Sequence, residues 1–305
     1  MIVNMEWYRV FYTVARTGSL SKAAEELYIT QPAVSHSIKQ LEAKLAGQLF
    51  FRSSKGVRLT GEGEVLFSYI EQAYHLMEAG ERRIGEMHDL EAGEVHIGAG
   101  DTLCRHVLLP RMETFREAYP RIKVSVTNRT TAETAALLRE GSIDFGVVHL
   151  PLEDPRLAVR PLLRIHDCFV AGRRFAAELG SPITPLPLER LLAYPIILLE
   201  QGTSTRRHLD RYAADQGLSL QPELELGSMD LLLQFARSGM GIACVVREFA
   251  REEMQRGGLV EVPLAVPIPP REVGLVTLQG VPLSAAARRF MDGLAEGPPA
   301  PGMPS

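Results

Sequence analysis

Gln31, Ser35, His36 and Lys39 fall on one face of the stretch "TQPAVSHSIKQLEAKL". They offer an amide, a hydroxyl, an imidazole and an ammonium, and no carboxylate intrudes before Glu42. Such a set suits the edges of nucleic-acid bases and the phosphate backbone. Glutamine pairs with adenine, lysine with phosphate or guanine, and an imidazole donates or accepts according to its proton. Pro32 and Ala33 keep the helix start thin enough to meet a thymine methyl. The next segment, "LFFRSSKGVRLT", adds Arg52, Lys55 and Arg58, where positive charge can hold phosphate or enter a minor groove.

A second set lies where strands run into helices: Gly100-Asp101-Thr102 with Leu103, Thr130-Thr131, Gly202-Thr203-Ser204, and Gly227-Ser228. Helix N-termini expose N–H groups and partial positive charge, so their convergence makes a site for a carboxylate or similar anion. The same Ser and Thr residues also cap their own helices. His149, after a strand, and Arg206, one turn into its helix, can add charge. Asp101 stands where an anion would sit, so a ligand with both an amine and an acid group would satisfy the whole set.

The first set needs a compact helical frame. Trp7, Val10, Phe11 and Val14 recur at helical spacing over Met5–Thr17. Gly18 stops that helix, and Ser19 caps the next, Leu20–Leu27, whose Ala23 and Ala24 permit a close crossing. Only Tyr28-Ile29-Thr30 separates it from a third helix, capped by Thr30, with Pro32 in its first turn. Val34, Ile38, Leu41 and Leu45 form its buried face. Leu49–Arg52 and Val57–Thr60 read as a small hairpin. From Glu62 to His88 one long amphipathic helix follows; about 27 residues extend ~40 Å, more than a small head covers, so self-pairing is expected.

Beyond Glu94 strands and helices alternate, which predicts an α/β body with mainly parallel sheets. Ligands in such folds bind at the carboxyl ends of strands. The expected organisation is a head over 1–60, a linker helix over 61–90 and a ligand-binding domain over 91–295. That domain divides into lobe I (about 91–161 and 265–295) and lobe II (about 162–264), with a Pro/Gly-rich disordered tail over 296–305.

Bulk properties agree. The chain has 305 residues, 46% hydrophobic and 23% charged, with net charge −4, as expected for a soluble two-domain protein. Residues 1–60 carry eight Lys/Arg against four Asp/Glu (net +4), and the other 245 carry 25 against 33 (net −8). A basic head on an acidic body suits a protein whose head alone meets a polyanion. Three scattered cysteines give neither a disulfide framework nor zinc spacing. No export signal or membrane span is legible, so a cytoplasmic location is expected.

An enzyme is not expected. Cys104 and His106 are two apart on a helix, where side chains diverge, and no P-loop, nucleophile elbow or metal-ligand cluster is present. No cofactor or metal is expected.

The stretch "FYTVARTGSLSKAAEELYITQPAVSHSIKQLEAKLAGQLFFRSSKGVRLTGEGE" resembles the winged helix-turn-helix of LysR-type transcriptional regulators. The marks are "GSLSKAAEEL", "TQPAVSHSI", "LE..L" and "LF.R". The resemblance implies a linker helix and a two-lobed sensor similar to periplasmic binding proteins. It implies a promoter regulator, controlled by a small anionic or zwitterionic effector, that binds dyad-symmetric double-stranded DNA as a dimer or dimer of dimers through the linker helix. RNA polymerase is a further expected partner. Control by redox chemistry or without a ligand is the alternative. The family's groove-reading positions fall on Gln31, Pro32, Ser35 and His36, with a wing contact from Arg52. At His36 the family more often has arginine. At the linker start "TGEGEVLF" departs from the usual "T.AG", and Gly61 and Gly63 are expected to loosen that turn.

Overall fold

The computed structural model describes residues 4–53, 56–88, 93–180 and 184–296. The chain forms two compact units, Met1–Arg82 and Arg83–Ser305.

The first unit opens with α1 (Met5–Thr17), α2 (Leu20–Leu27) and α3 (Gln31–Leu45). Local chemistry explains these bounds. Ser19 Oγ accepts from Lys22 N and Thr30 Oγ1 from Ala33 N, while Gly18, at φ 65°, closes α1 in the left-handed conformation. One core holds Val10, Phe11, Val14, Ala23, Ala24, Val34, Ile38 and Leu41. Strands β1 (Phe50–Ser53) and β2 (Gly56–Leu59) form the antiparallel wing. The wing is tied to the α1–α2 corner by Val57 N donating to Gly18 O at 3.0 Å.

Helix α4 (Gly61–His88) follows at once. Leu66, Phe67 and Ile70 pack on the head core, and Tyr12 of α1 stacks on Phe67 and Tyr74 at 5.7 and 4.5 Å. Val65, Tyr69, Leu76, Met77 and Ile84 remain exposed. Gly63 corrects the expectation of a loosened turn. A Cβ there would stand 2.2 Å from Leu49 O, and Thr60 Oγ1 accepts from Gly63 N at 3.0 Å. The glycine is what lets α4 start hard against the wing.

The second unit contains two five-stranded sheets. Its elements run β3 (Gly93–Ala99), α5 (Asp101–Leu103), a π turn (Cys104–Leu108), α6 (Leu109–Ala118), β4 (Ile122–Asn128), α7 (Thr131–Arg139), β5 (Phe145–His149) and β6 (Leu157–Ile165). The chain then passes through β7 (Asp167–Gly172), α8 (Arg173–Leu179), α9 (Leu188–Leu191), β8 (Ile196–Leu199), α10 (Ser204–Ala214), β9 (Leu224–Leu226) and α11 (Met229–Arg237). It ends with β10 (Ile242–Val246), α12 (Arg247–Gln255), β11 (Leu259–Val262), β12 (Arg271–Leu278) and α13 (Ala285–Glu296). The sheet orders are β4-β3-β5-β12-β6 and β11-β7-β10-β8-β9. The inner strands β5, β7 and β10 are buried on both faces, whereas β4, β6 and β9 at the edges are partly exposed. Phe115, Phe145 and Phe290 pack together below the first, and Phe169, Leu198, Leu209 and Ile242 share a cluster on the second.

Several expectations change here. The sheets are mixed: β12 runs antiparallel to β5 and β6, and β7 antiparallel to β10 and β11. Each antiparallel strand lies second from one edge of its sheet, β12 inside β6 and β7 inside β11, a pairing that alternation along the chain does not reveal. The crossing between sheets falls at His166, not at Pro161. Pro161 lies inside edge strand β6, where the register with β12 slips; an edge bulge tolerates a residue without an N–H. The helix after β3 begins at Asp101 and passes through a π turn before α6. Pro110 cannot donate, and its ring crowds the carbonyl four residues back. The π turn just before it widens the helix there. The expected tail over 296–305 lies, after Glu296, outside the described residues.

Candidate nucleic-acid interface and small-molecule cavity

In the first unit the buried side of α3 fixes what its other side presents. With Val34, Ile38 and Leu41 fully buried, Gln31, Pro32, His36 and Lys39 are exposed and Ser35 half-buried. Gln31 Nε2 donates to Ser35 Oγ at 3.1 Å, so amide and hydroxyl form one linked unit at the helix start. Arg52 sits on β1 opposite Val57; Lys55 lies outside the described residues. Sequence reasoning passed over Tyr28. It is 96% exposed and holds the left-handed conformation at φ 55°, beside the start of α3.

In the second unit a cavity of about 490 Å³ opens where the strands of both sheets end. Asp101, Thr102, Leu103, Thr130, Thr131, His149, Thr203, Ser204 and Ser228 all border it. Much of their hydrogen bonding is local. Thr130 caps α7 in a reciprocal box with Glu133. Thr203 Oγ1 accepts from Arg206 N and donates to Glu200 O, and Ser228 Oγ accepts from Leu231 N. Leu103 is 1% exposed and anchors the core at the cavity edge.

Two expectations fail. Gly202 is not among the lining residues; at φ +87° it makes the turn before α10, and its carbonyl accepts from Arg207. Arg206 does not charge the cavity. It is 3% exposed and is held by Asp210 of α10, Glu225 of β9 and Leu199 O. Lining residues missed in the sequence are Asn128, Arg129, Leu199, Thr205 and Asp230. Asn128 and Arg129 stand directly before the Thr130 cap, which was the available signal. Asn128 Nδ2 reaches Asp101 Oδ1 at 3.5 Å, and Asp230 is paired with Arg105 across the lobes.

His149 is half-buried at the end of β5. Burial, then the Arg271 and His208 charges, hold its pKa down to about 3, so the ring is neutral near pH 7.

The thiols do not form a redox pair. Cys168 packs into the cluster on one face of the second sheet and Cys244 into the cluster on the other. Burial pushes both upward, and pushes Cys104 to about 11. Cys104 Sγ donates to Ala99 O, and the His106 ring stacks on Phe249 at 4.5 Å. The two therefore face different partners. Among the described residues there is no metal-ligand cluster and no helix long and apolar enough to cross a membrane.

A helix-turn-helix head whose third helix exposes a face free of carboxylates over its first turns, joined in one chain to a two-lobed ligand-binding domain, defines a ligand-responsive DNA-binding regulator. Residues 5–64 match the bacterial regulatory helix-turn-helix protein, lysR family, and residues 88–298 match the LysR substrate binding domain. The chain belongs to the LysR family of transcriptional regulators.

It is 28% identical over 298 residues to the HTH-type transcriptional regulator YeiE of Escherichia coli, covering 96% of this chain and 97% of that one. It is 30% identical over 248 residues to a probable RuBisCO transcriptional regulator of Cyanidioschyzon merolae, covering 79% and 81%. Among solved structures it resembles CrgA, a LysR-type regulator of Neisseria meningitidis, with TM-score 0.58, 26% identity and coverage of 97% and 99%. All three are named as transcriptional regulators.

Proposed function

We propose that the chain reads a dyad-symmetric operator through Gln31, Pro32, Ser35, His36 and Lys39 in the major groove, with Arg52 and Lys55 of the wing on the backbone. It answers to a small anionic or zwitterionic effector held in the cavity at the strand ends. The observation that carries this reading is the cavity itself. Its rim gathers the starts of α5, α7, α10 and α11, with Thr102, Thr131 and Ser204 in first turns, and helix starts favour anions.

The exposed stripe Val65, Tyr69, Leu76, Met77 and Ile84 on α4 serves self-association into a dimer or dimer of dimers. A two-fold assembly then reads two half-sites a helical turn apart. The protein acts in the cytoplasm, and contact with RNA polymerase at the promoter belongs to the same reading. The domain division 1–60, 61–90 and 91–295 stands as part of this proposal.

The test is a reporter and gel-shift pair. Thr131→Val and Ser204→Val should abolish the effector response found in a metabolite screen and leave operator affinity unchanged. A normal dose response in both variants would sink the cavity assignment.

A further inference from the structure

His149 ends β5 opposite Val273 of β12. Cross-strand partners point to the same sheet face, as do residues two apart on one strand, so Arg271 is the diagonal neighbour of His149. Arg271 is 6% exposed. Its Nε and Nη2 donate to Asp167 at 2.6 and 2.8 Å. Its Nη1 is buried and, among the described residues, has no hydrogen-bond partner. The Nδ1 of His149 is buried and unpartnered in the same way, while the ring borders the cavity. One orphan is a donor that keeps its proton at any ordinary pH, and the other can accept. Unpaired buried polar atoms cost free energy, and a single bridging water would satisfy both of these.

We propose that Arg271 is a positioning residue whose Nη1–H, through one bridging water, holds His149 Nδ1 as an acceptor, so that the ring presents Nε2–H to the cavity and that end takes the acid group of a small organic acid. The claim rests on the cavity being the effector site. Burial, with Arg271 on β12 and His208 on α10, disfavours the charged ring, and the His208 ring nitrogen Nε2 lies 2.8 Å from Pro269 O. Only a guanidinium serves here. Its fork is spent on Asp167, and it still has a donor pointing in a third direction; a lysine ammonium has three donors but no rigid planar fork to fix that direction. The second-layer contact selects the tautomer, as outer partners do for histidines that bind metals. Asp101, exposed in the same lining, faces the other end of the ligand and favours an amine there.

Ring-15N-histidine NMR on the full chain tests the positioning, with His149→Gln used to assign the signal. The expected signal is neutral Nε2–H from about pH 5 to 8, shifting toward Nδ1–H in Arg271→Lys. The wild-type spectrum decides even if that variant fails to fold. Thermal shifts with acetate and acetamide, succinate and succinamide, and benzoate and benzamide test the acid assignment. At least one acid should stabilise the chain, its amide should not, and the apparent affinity should fall about tenfold or more in His149→Phe. A ring that is Nδ1–H, or that titrates near the ordinary 6.5, overturns the positioning. Amides that match their acids, or three silent acids, overturn the acid assignment. The cavity reading fails separately, if an acid that stabilises wild type acts undiminished on Thr131→Val and Ser204→Val.

Discussion

Arg271 and Asp167 meet as a two-point ion pair, Nε to Oδ2 at 2.6 Å and Nη2 to Oδ1 at 2.8 Å, with both side chains almost fully buried. Asp167 opens β7 and Arg271 opens β12, so the pair ties the first strand of one sheet to a strand of the other at the crossing between lobes. Removing one partner leaves a buried charge. Arg271→Met is expected to destabilise the second unit by about 3–5 kcal/mol, and the double variant Arg271→Met/Asp167→Leu by much less. Urea midpoints of the three proteins check this.

Gly63 and Gly61 are expected to respond oppositely to alanine. In an open helical position alanine gains up to about 1 kcal/mol over glycine. Nothing stands within 4 Å of a Cβ at Gly61, whereas one at Gly63 meets Leu49 O at 2.2 Å. Gly61→Ala should raise the melting temperature. Gly63→Ala should lower it, by about 1–3 kcal/mol of overpacking.

Tyr28 sits in the left-handed conformation with no burial to offset it. Asparagine and glycine adopt that conformation more readily than tyrosine. Tyr28→Asn should therefore stabilise the head by about 0.5–1 kcal/mol, measured by thermal unfolding.

His149 and His106 are both held below the ordinary histidine range, chiefly by burial. A depressed histidine takes its proton more readily in the unfolded chain, so the folded state loses stability as pH falls below about 6.5. For His149 the loss continues toward about 3. The slope is at most about 1.4 kcal/mol per pH unit for each site. His149→Gln should show a smaller fall in melting temperature between pH 7 and pH 5 than the wild type.

For the reading face, His36→Ala and Gln31→Ala should each cost about 1–3 kcal/mol against the cognate site and little against random duplex. Lys39→Ala should weaken both alike and reduce the salt slope by about one. Fluorescence anisotropy across a salt series separates the two patterns.

The sequence by itself determined the elements whose limits are set by neighbours along the chain. Helix α1 ends at Gly18, and α2 and α3 begin where Ser19 and Thr30 cap them, because caps and left-handed stops act within a few residues. The exposed face of α3 follows from the spacing of Val34, Ile38 and Leu41. The strand-to-helix loops were legible for the same reason, and nearly all of the candidate residues drawn from them border the cavity.

Tertiary structure decided whatever depends on residues far apart in sequence. Arg206 is taken by Glu225, which no local rule foretells. Gly63 reads as a weak helix former until the Leu49 carbonyl approaches it. Pro161 reads as a boundary until β12 pairs beside it. Arg271 carries no signal of its own, because its meaning comes from Asp167, 104 residues earlier, and from His149 on the adjoining strand. Long-range pairing, charge and close packing are properties of the assembled sheets, whereas caps and periodicity are written residue by residue.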